Sequence, residues 1–211
     1  MKHVHSLRLL ALVLVLLAPA AANAAILQFI APLGVTGAQE VPPRATPATG
    51  TGFALYDDVA LLLFVGLDWQ DLLAPASAAH IHCCSGPGVN STVAIDFVPA
   101  GFPSVTSGSF SHLFDLDSAA SYGSGFLGSF GGDVDAARAA FIAGLTANLA
   151  YFNIHTSVFP GGEIRGDIEL VPEPGSMILM LSGLAAVAVG GARRLRLAMA
   201  AHGTAPQSMP K

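Results

Sequence analysis

The sequence predicts an all-β domain, a Greek-key or immunoglobulin-like β-sandwich or barrel with one short helix, set between an N-terminal signal peptide and a C-terminal transmembrane helix. Three observations predict it. Short runs of apolar or alternating residues recur between clusters of Gly, Pro, Ser and Thr, the pattern of brief strands joined by turns. One segment alone, Asp133 to Leu145, spaces its apolar residues as a helix does. Both chain ends carry long apolar stretches with basic flanks, which mark targeting segments and not a core.

At the N-terminus, Lys2 and Arg8 precede the apolar segment Leu9 to Leu17, and Ala22-Asn23-Ala24 offers small residues where signal peptidase reads them. Residues 1–24 are expected to be removed by cleavage after Ala24. Residues 25–170 then form one domain of ordinary size. Between Ala25 and Leu170 thirteen Asp and Glu face three arginines, a net charge of −10 that disfavours nucleic acid and anionic polymers. Divalent cations can still bridge such a surface to acidic polysaccharide.

Within the domain, Pro42, Pro43 and Pro47 make Glu40 to Thr49 an extended loop or edge segment. The expected strands are Gly52 to Tyr56, Ala60 to Leu67, Ala78 to Cys83, Thr92 to Val98, Gly108 to Leu116, Leu149 to Thr156 and Glu163 to Leu170. Gly101 to Gly132, rich in Gly and Ser, is expected as part strand and part long loop. Asp133 can cap the helix that follows, with Val134, Ala137, Phe141 and Leu145 near one face. Many short strands and one helix fit a sandwich or barrel.

Side chains alternate along a strand, so His80 and His82 share one face while Ala79, Ile81 and Cys83 share the other. Tyr151, Asn153 and His155 likewise oppose Phe152, Ile154 and Thr156. If the last two strands form a hairpin, a register pairing Asn153 with Arg165 and Tyr151 with Asp167 gives polar residues polar partners and makes His155 and Glu163 neighbours. A His-x-His pair can hold one metal ion, and a third imidazole or a carboxylate completes a site. His80, His82 and His155, with Glu163 as a fourth ligand or outer partner, are the candidate ligands for copper or zinc. The other reading of these histidines is packing and hydrogen bonding that fix strand pairing. Glu163 and Arg165, two apart on one side, read as an exposed structural pair contributing about 0–1 kcal/mol.

Cys83 and Cys84 are adjacent, and they are the only cysteines of the chain. In an exported protein they pair with each other, pair with another molecule, or bind metal. A vicinal disulfide rigidifies the turn after the His strand. The metal alternative uses Cys84, which alternation places with His80 and His82, as a soft ligand favouring copper.

The C-terminal part reads Val171-Pro172-Glu173-Pro174-Gly175-Ser176, then an apolar run to about residue 192, then Arg193, Arg194 and Arg196. Residues 171–196, with a transmembrane segment at about 175–192, resemble the PEP-CTERM sorting signal of Gram-negative bacteria. The resemblance implies recognition at Pro172-Glu173-Pro174 by an exosortase-type membrane protease. Basic flanks resist translocation, so residues 197–211 are expected in the cytoplasm and the domain on the periplasmic side, bound for the cell surface and its exopolysaccharide.

Three further motifs lie in one order along the domain: Thr36-Gly37-Ala38-Gln39-Glu40-Val41-Pro42-Pro43, Ala79-His80-Ile81-His82 with Gly86-Pro87-Gly88, and Asn153-Ile154-His155-Thr156 with Gly161-Gly162-Glu163-Ile164-Arg165-Gly166. Together they resemble the CHRD domain, named for its repeats in chordin. That resemblance implies an all-β extracellular domain. The His-x-His pair is similar in part to the copper ligands of copper-zinc superoxide dismutase, although the zinc-loop histidines of that enzyme are missing here. No nucleophile, phosphate cradle or paired-carboxylate motif is found. The expected function is therefore non-enzymatic, in surface structure, adhesion or ligand binding among exopolysaccharide or envelope proteins. A copper- or zinc-binding metalloprotein with redox or dismutase-like activity, and a binding module for secreted proteins, are the alternatives.

Overall fold

The computed structural model describes residues 26–172 together with Gly183 and Val187. The expected signal peptide with its Ala22 and Ala24, the transmembrane helix, and Glu173, Pro174, Arg193, Arg194 and Arg196 lie outside the described residues. Among the described residues no helix is long and apolar enough to cross a membrane.

Nine strands form one antiparallel sheet: β1 (Ile26–Ile30), β2 (Val35–Thr36), β3 (Thr49–Asp57), β4 (Leu62–Gln70), β5 (Ala76–Cys83), β6 (Thr92–Asp96), β7 (Gly108–Asp115), β8 (Ala150–Thr156) and β9 (Ile164–Leu170). Their spatial order is β6-β5-β8-β9-β1-β3-β4-β7, with β2 bridging β3 and β9. Only two residue pairs, Phe29 with Leu170 and Ile30 with Glu169, join β1 to β9. About this short seam the sheet folds into two facing halves. A Cβ on Gly52 of β3 would press on the Phe152 ring of β8, so the halves meet without spare room. The chain crosses between halves from β4 to β5, from β6 to β7 and back from β7 to β8, which is the Greek-key character expected of an all-β domain.

Alternation explains which residues enter the core. In β3, Gly52, Ala54 and Tyr56 are buried while Thr51 and Phe53 are exposed; in β8, Phe152 and Ile154 are fully buried. An aromatic stack closes the ends of the sheet path: Phe97, just after β6, lies 5.2 Å from Phe110 and 5.6 Å from Phe114 of β7. The β3–β4 turn is tied by Asp57, whose Oδ1 accepts from Val59 N (2.9 Å) and Ala60 N (2.8 Å).

The expected helix is α2 (Val134–Thr146), following a short helix α1 (Ser124–Ser129) that composition did not suggest. Asp133 caps α2 by accepting from Ala136 N at 3.1 Å, and Ala137, Phe141, Gly144 and Leu145 are buried. The segment before α1 covers the outer edge of β6: Ile95 bridges Tyr122, and Gly123 N donates to Ala94 O at 2.9 Å.

Phe97→Ala should lower the unfolding free energy by about 3–5 kcal/mol, because that fully buried ring fills the closure between β6 and β7. Urea unfolding monitored by Trp69 fluorescence measures it. A loss under 1 kcal/mol would place the closure elsewhere.

Candidate metal centre

The site lies on the outward face of the β6-β5-β8-β9 half, and pairing brings its members together. β5 and β8 align His80 with Asn153, His82 with Tyr151 and Ala78 with His155. β8 and β9 align Tyr151 with Asp167 and Asn153 with Arg165, the register expected from the sequence. His80, His82 and His155 thus share one face, and one nitrogen from each falls within 4.8 Å of the others.

Hydrogen bonds decide what each ring offers. His82 Nδ1 faces Ser91 O at 2.8 Å, and His155 Nδ1 faces Pro160 O at 2.9 Å. A carbonyl oxygen only accepts, so both Nδ1 atoms carry hydrogen and both Nε2 atoms carry lone pairs. His82 Nε2 is buried without a hydrogen-bond partner. His155 Nε2 lies 3.1 Å from His80 Nδ1. Nitrogens bound at about 2.0–2.1 Å to one tetrahedral ion stand roughly 3.3 Å apart, close to that separation. His80 Nε2 lies 3.6 Å from Asp96 Oδ1, so an ion taken up at Nδ1 leaves a carboxylate behind the opposite nitrogen.

The rings are neutral. Burial, then the neighbouring His155 and His82, hold His80 down to about 3. Burial, with His155 and Arg165 adding to it, holds His82 down to about 4 although the Ser91 carbonyl acts the other way. Burial also lowers His155 against the opposing pull of Pro160. No ring therefore carries a second proton at neutral pH; in the metal-free form His80 Nδ1 donates to His155 Nε2, and an ion taken up there leaves the His80 hydrogen on Nε2, beside Asp96.

Glu163 and Arg165 are closed off from solvent, which corrects the exposed Glu163–Arg165 pair, while His80 and His155 stay half-buried. Glu163 is fully buried and Arg165 is 1 % exposed. Arg165 lies 3.5 Å over the Tyr151 ring, which in turn stacks on His82 at 4.8 Å. Its Nε donates to Asp167 Oδ1 (3.0 Å) and its Nη1 to Val89 O (3.2 Å). Glu163 precedes β9, and its carboxylate accepts from Thr46 Oγ1 (2.6 Å), Leu73 N (2.9 Å) and Thr156 Oγ1 (2.6 Å). It clamps three segments and stands apart from the three imidazoles; the expected fourth ligand is not brought to them.

Cys84 is not brought there either. Cys83 and Cys84 form the vicinal disulfide, joined by a cis peptide, and no cysteine is free. The Cys84 sulfur faces α2, 3.6 Å from Ala140 O, because the chain leaves β5 at that point and alternation stops applying.

Sequence reasoning placed Glu40 to Thr49 as an extended loop but missed the part Glu40 plays in this layer. Glu40 is 5 % exposed and accepts from Asn153 Nδ2 at 2.6 Å; burial raises its pKa, against the pull of Asn153, Arg165 and Arg44. Gly162, at φ +119°, lets the β8–β9 turn pass beside both groups, since a Cβ there would overlap them.

The chain matches the CHRD domain over residues 32–168. It belongs to the CHRD family. The PEP-CTERM protein-sorting motif matches residues 170–194, so this CHRD protein is exported, anchored in a membrane and sorted to the cell surface by exosortase, a membrane protein. Comparison with curated proteins and with solved structures finds no match. The three CHRD motifs meet in space: Gln39 and Glu40 of the first, His80 and His82 of the second, and Asn153, His155 and Arg165 of the third lie in this one layer, with Glu40, His82, Asn153 and Arg165 buried and the other three half-buried.

Two predictions follow from the geometry. Glu163→Gln should cost about 1.5–3 kcal/mol by urea unfolding, through lost charged hydrogen bonds, while leaving copper and zinc affinity unchanged. The second concerns pH. Unfolded, these histidines take protons near 6.5, but folded, His80 and His82 do so only near 3 and 4. Below pH 6.5 the unfolded chain binds more protons, so their contribution is complete above 6.5 and drains as pH falls toward 4 and then 3. The metal-free melting temperature should drop between pH 7.5 and 5, and drop less in a His80→Gln/His82→Gln variant. Equal slopes would contradict neutral burial.

Proposed function

We propose that this surface-sorted CHRD protein binds one copper or zinc ion through His80, His82 and His155 and works by binding, without turnover. The observation that carries the reading is the buried, unpartnered Nε2 of His82, held in its tautomer by the Ser91 carbonyl and gathered with the other two imidazoles. An orphaned buried acceptor costs about 1–3 kcal/mol, and a cation removes that cost. Three neutral imidazoles suit zinc and copper and do not suit calcium or magnesium, which prefer oxygen ligands. A domain with net charge −10 also favours cation uptake.

In the same reading, the domain faces the periplasm before sorting, with Arg193, Arg194 and Arg196 on the cytoplasmic side, and afterwards takes a structural or adhesive place among exopolysaccharide and envelope proteins. The sorting motif supports that destination.

Calorimetric titration of the metal-free protein should give one site per chain, micromolar or tighter. The His80→Ala/His82→Ala variant should lose more than about 100-fold, since even outer partners of a ligand set are worth roughly 10–100-fold. No binding tighter than millimolar, or binding indifferent to that variant, would remove the site. Recovery of the processed protein wholly apart from the exopolysaccharide fraction would remove the matrix role.

A further inference from the structure

We propose that Cys83–Cys84 is a thiol–disulfide exchange site for external dithiols, and that its redox state is transmitted through residues 84–91 to the ring of His82. The inference goes beyond metal binding and does not depend on it.

The pair is poorly suited to stapling the fold. Disulfide stabilisation through the unfolded chain grows with the length of loop closed, and here the sequence separation is 1. The two cysteines also occupy unlike places. Cys83 is 2 % exposed and fixed in β5, paired with Thr92 on one side and Ala150 on the other. Cys84 is solvent-exposed and begins the loop to β6, so a thiolate reaches the bond from its side.

The seat of the pair fits the oxidised form. Both sulfurs lie against Gly144 of α2, where a Cβ would overlap each of them. Bonded sulfurs sit about 2.05 Å apart, and reduction pushes them to van der Waals separation. With Cys83 held on both sides, Cys84 and its loop take up the movement.

That loop reaches the histidine layer at three points. Ser91 O accepts from His82 Nδ1 (2.8 Å), Ser91 N donates to the Tyr151 hydroxyl (3.0 Å), and Val89 O accepts from Arg165 (3.2 Å). The acceptor that fixes the His82 tautomer therefore rides on the segment whose first residue is half of the disulfide.

The step balances in electrons and protons. A thiolate of the external dithiol attacks one sulfur, forming a new S–S bond as the Cys83–Cys84 bond breaks, and the freed cysteine thiolate takes a proton. The second thiol of the reductant then attacks the mixed disulfide, expels the remaining cysteine and closes the reductant's own disulfide. Two electrons and two protons pass from the dithiol to the pair.

The test treats metal-free protein at neutral pH, without denaturant, with dithiothreitol. Thiol counting should find two thiols per chain while circular dichroism stays that of the folded protein. Nitrogen chemical shifts of the His82 ring should change between the two forms while those of His112, packed against Phe114, stay fixed. Cys84→Ser should reproduce the reduced His82 pattern. Thiols that appear only on global unfolding would overturn the exchange site. Thiols released with an unmoved His82, or a Cys84→Ser protein showing the oxidised pattern, would overturn the transmission. A failed metal titration alters none of these readings.

Discussion

A largely buried polar layer outside the β5-β8-β9 half ties together the loops that surround it. A sandwich ordinarily buries one face of each sheet, yet here the second face of one half is also largely closed, by the segment around Glu40, the β5–β6 loop and the β8–β9 turn. Buried polar groups are costly without partners, so each enclosing segment supplies some. Glu163 takes three donors from three parts of the chain, and Asn153 donates both to Glu40 and to Ile164 O. These obligations position loops that no apolar contact would position alone.

The histidines inherit their rigidity from this layer. Tyr151 lies between Arg165 and His82, so the guanidinium, the phenol and the imidazole form one column across three strands. Backbone carbonyls from two different turns orient His82 and His155. Preorganisation of this kind would let the proposed site take up an ion without reordering the three imidazoles.

Much of this was legible in the chain, and what was not has a physical reason. Period-two alternation placed β3 to β9 within a few residues, and the demand that Asn153 and Tyr151 meet Arg165 and Asp167 set the β8–β9 register. The His trio followed from that pairing. Burial of the polar face was not legible, because alternation marks a polar face as outward, while the contacts that seal it join residues 113 and 117 positions apart. Glu163 was misplaced because it belongs to the turn before β9, where alternation has not begun. β1 follows directly on the expected signal peptide and reads as its continuation, and the two residues of β2 are too few to show a period. α1 contains two glycines within six residues and owes its form to the buried Phe126.

The cover over β6 bears on life in a crowd. An open strand edge is a template on which neighbouring copies add themselves, and a protein gathered at high density on a surface meets many copies of itself. The Tyr122–Gly123 segment lies along Ile95 and takes the Ala94 carbonyl, a group that an incoming second chain would use. Removing that short strip would leave β6 open to pairing edge to edge with a neighbouring copy.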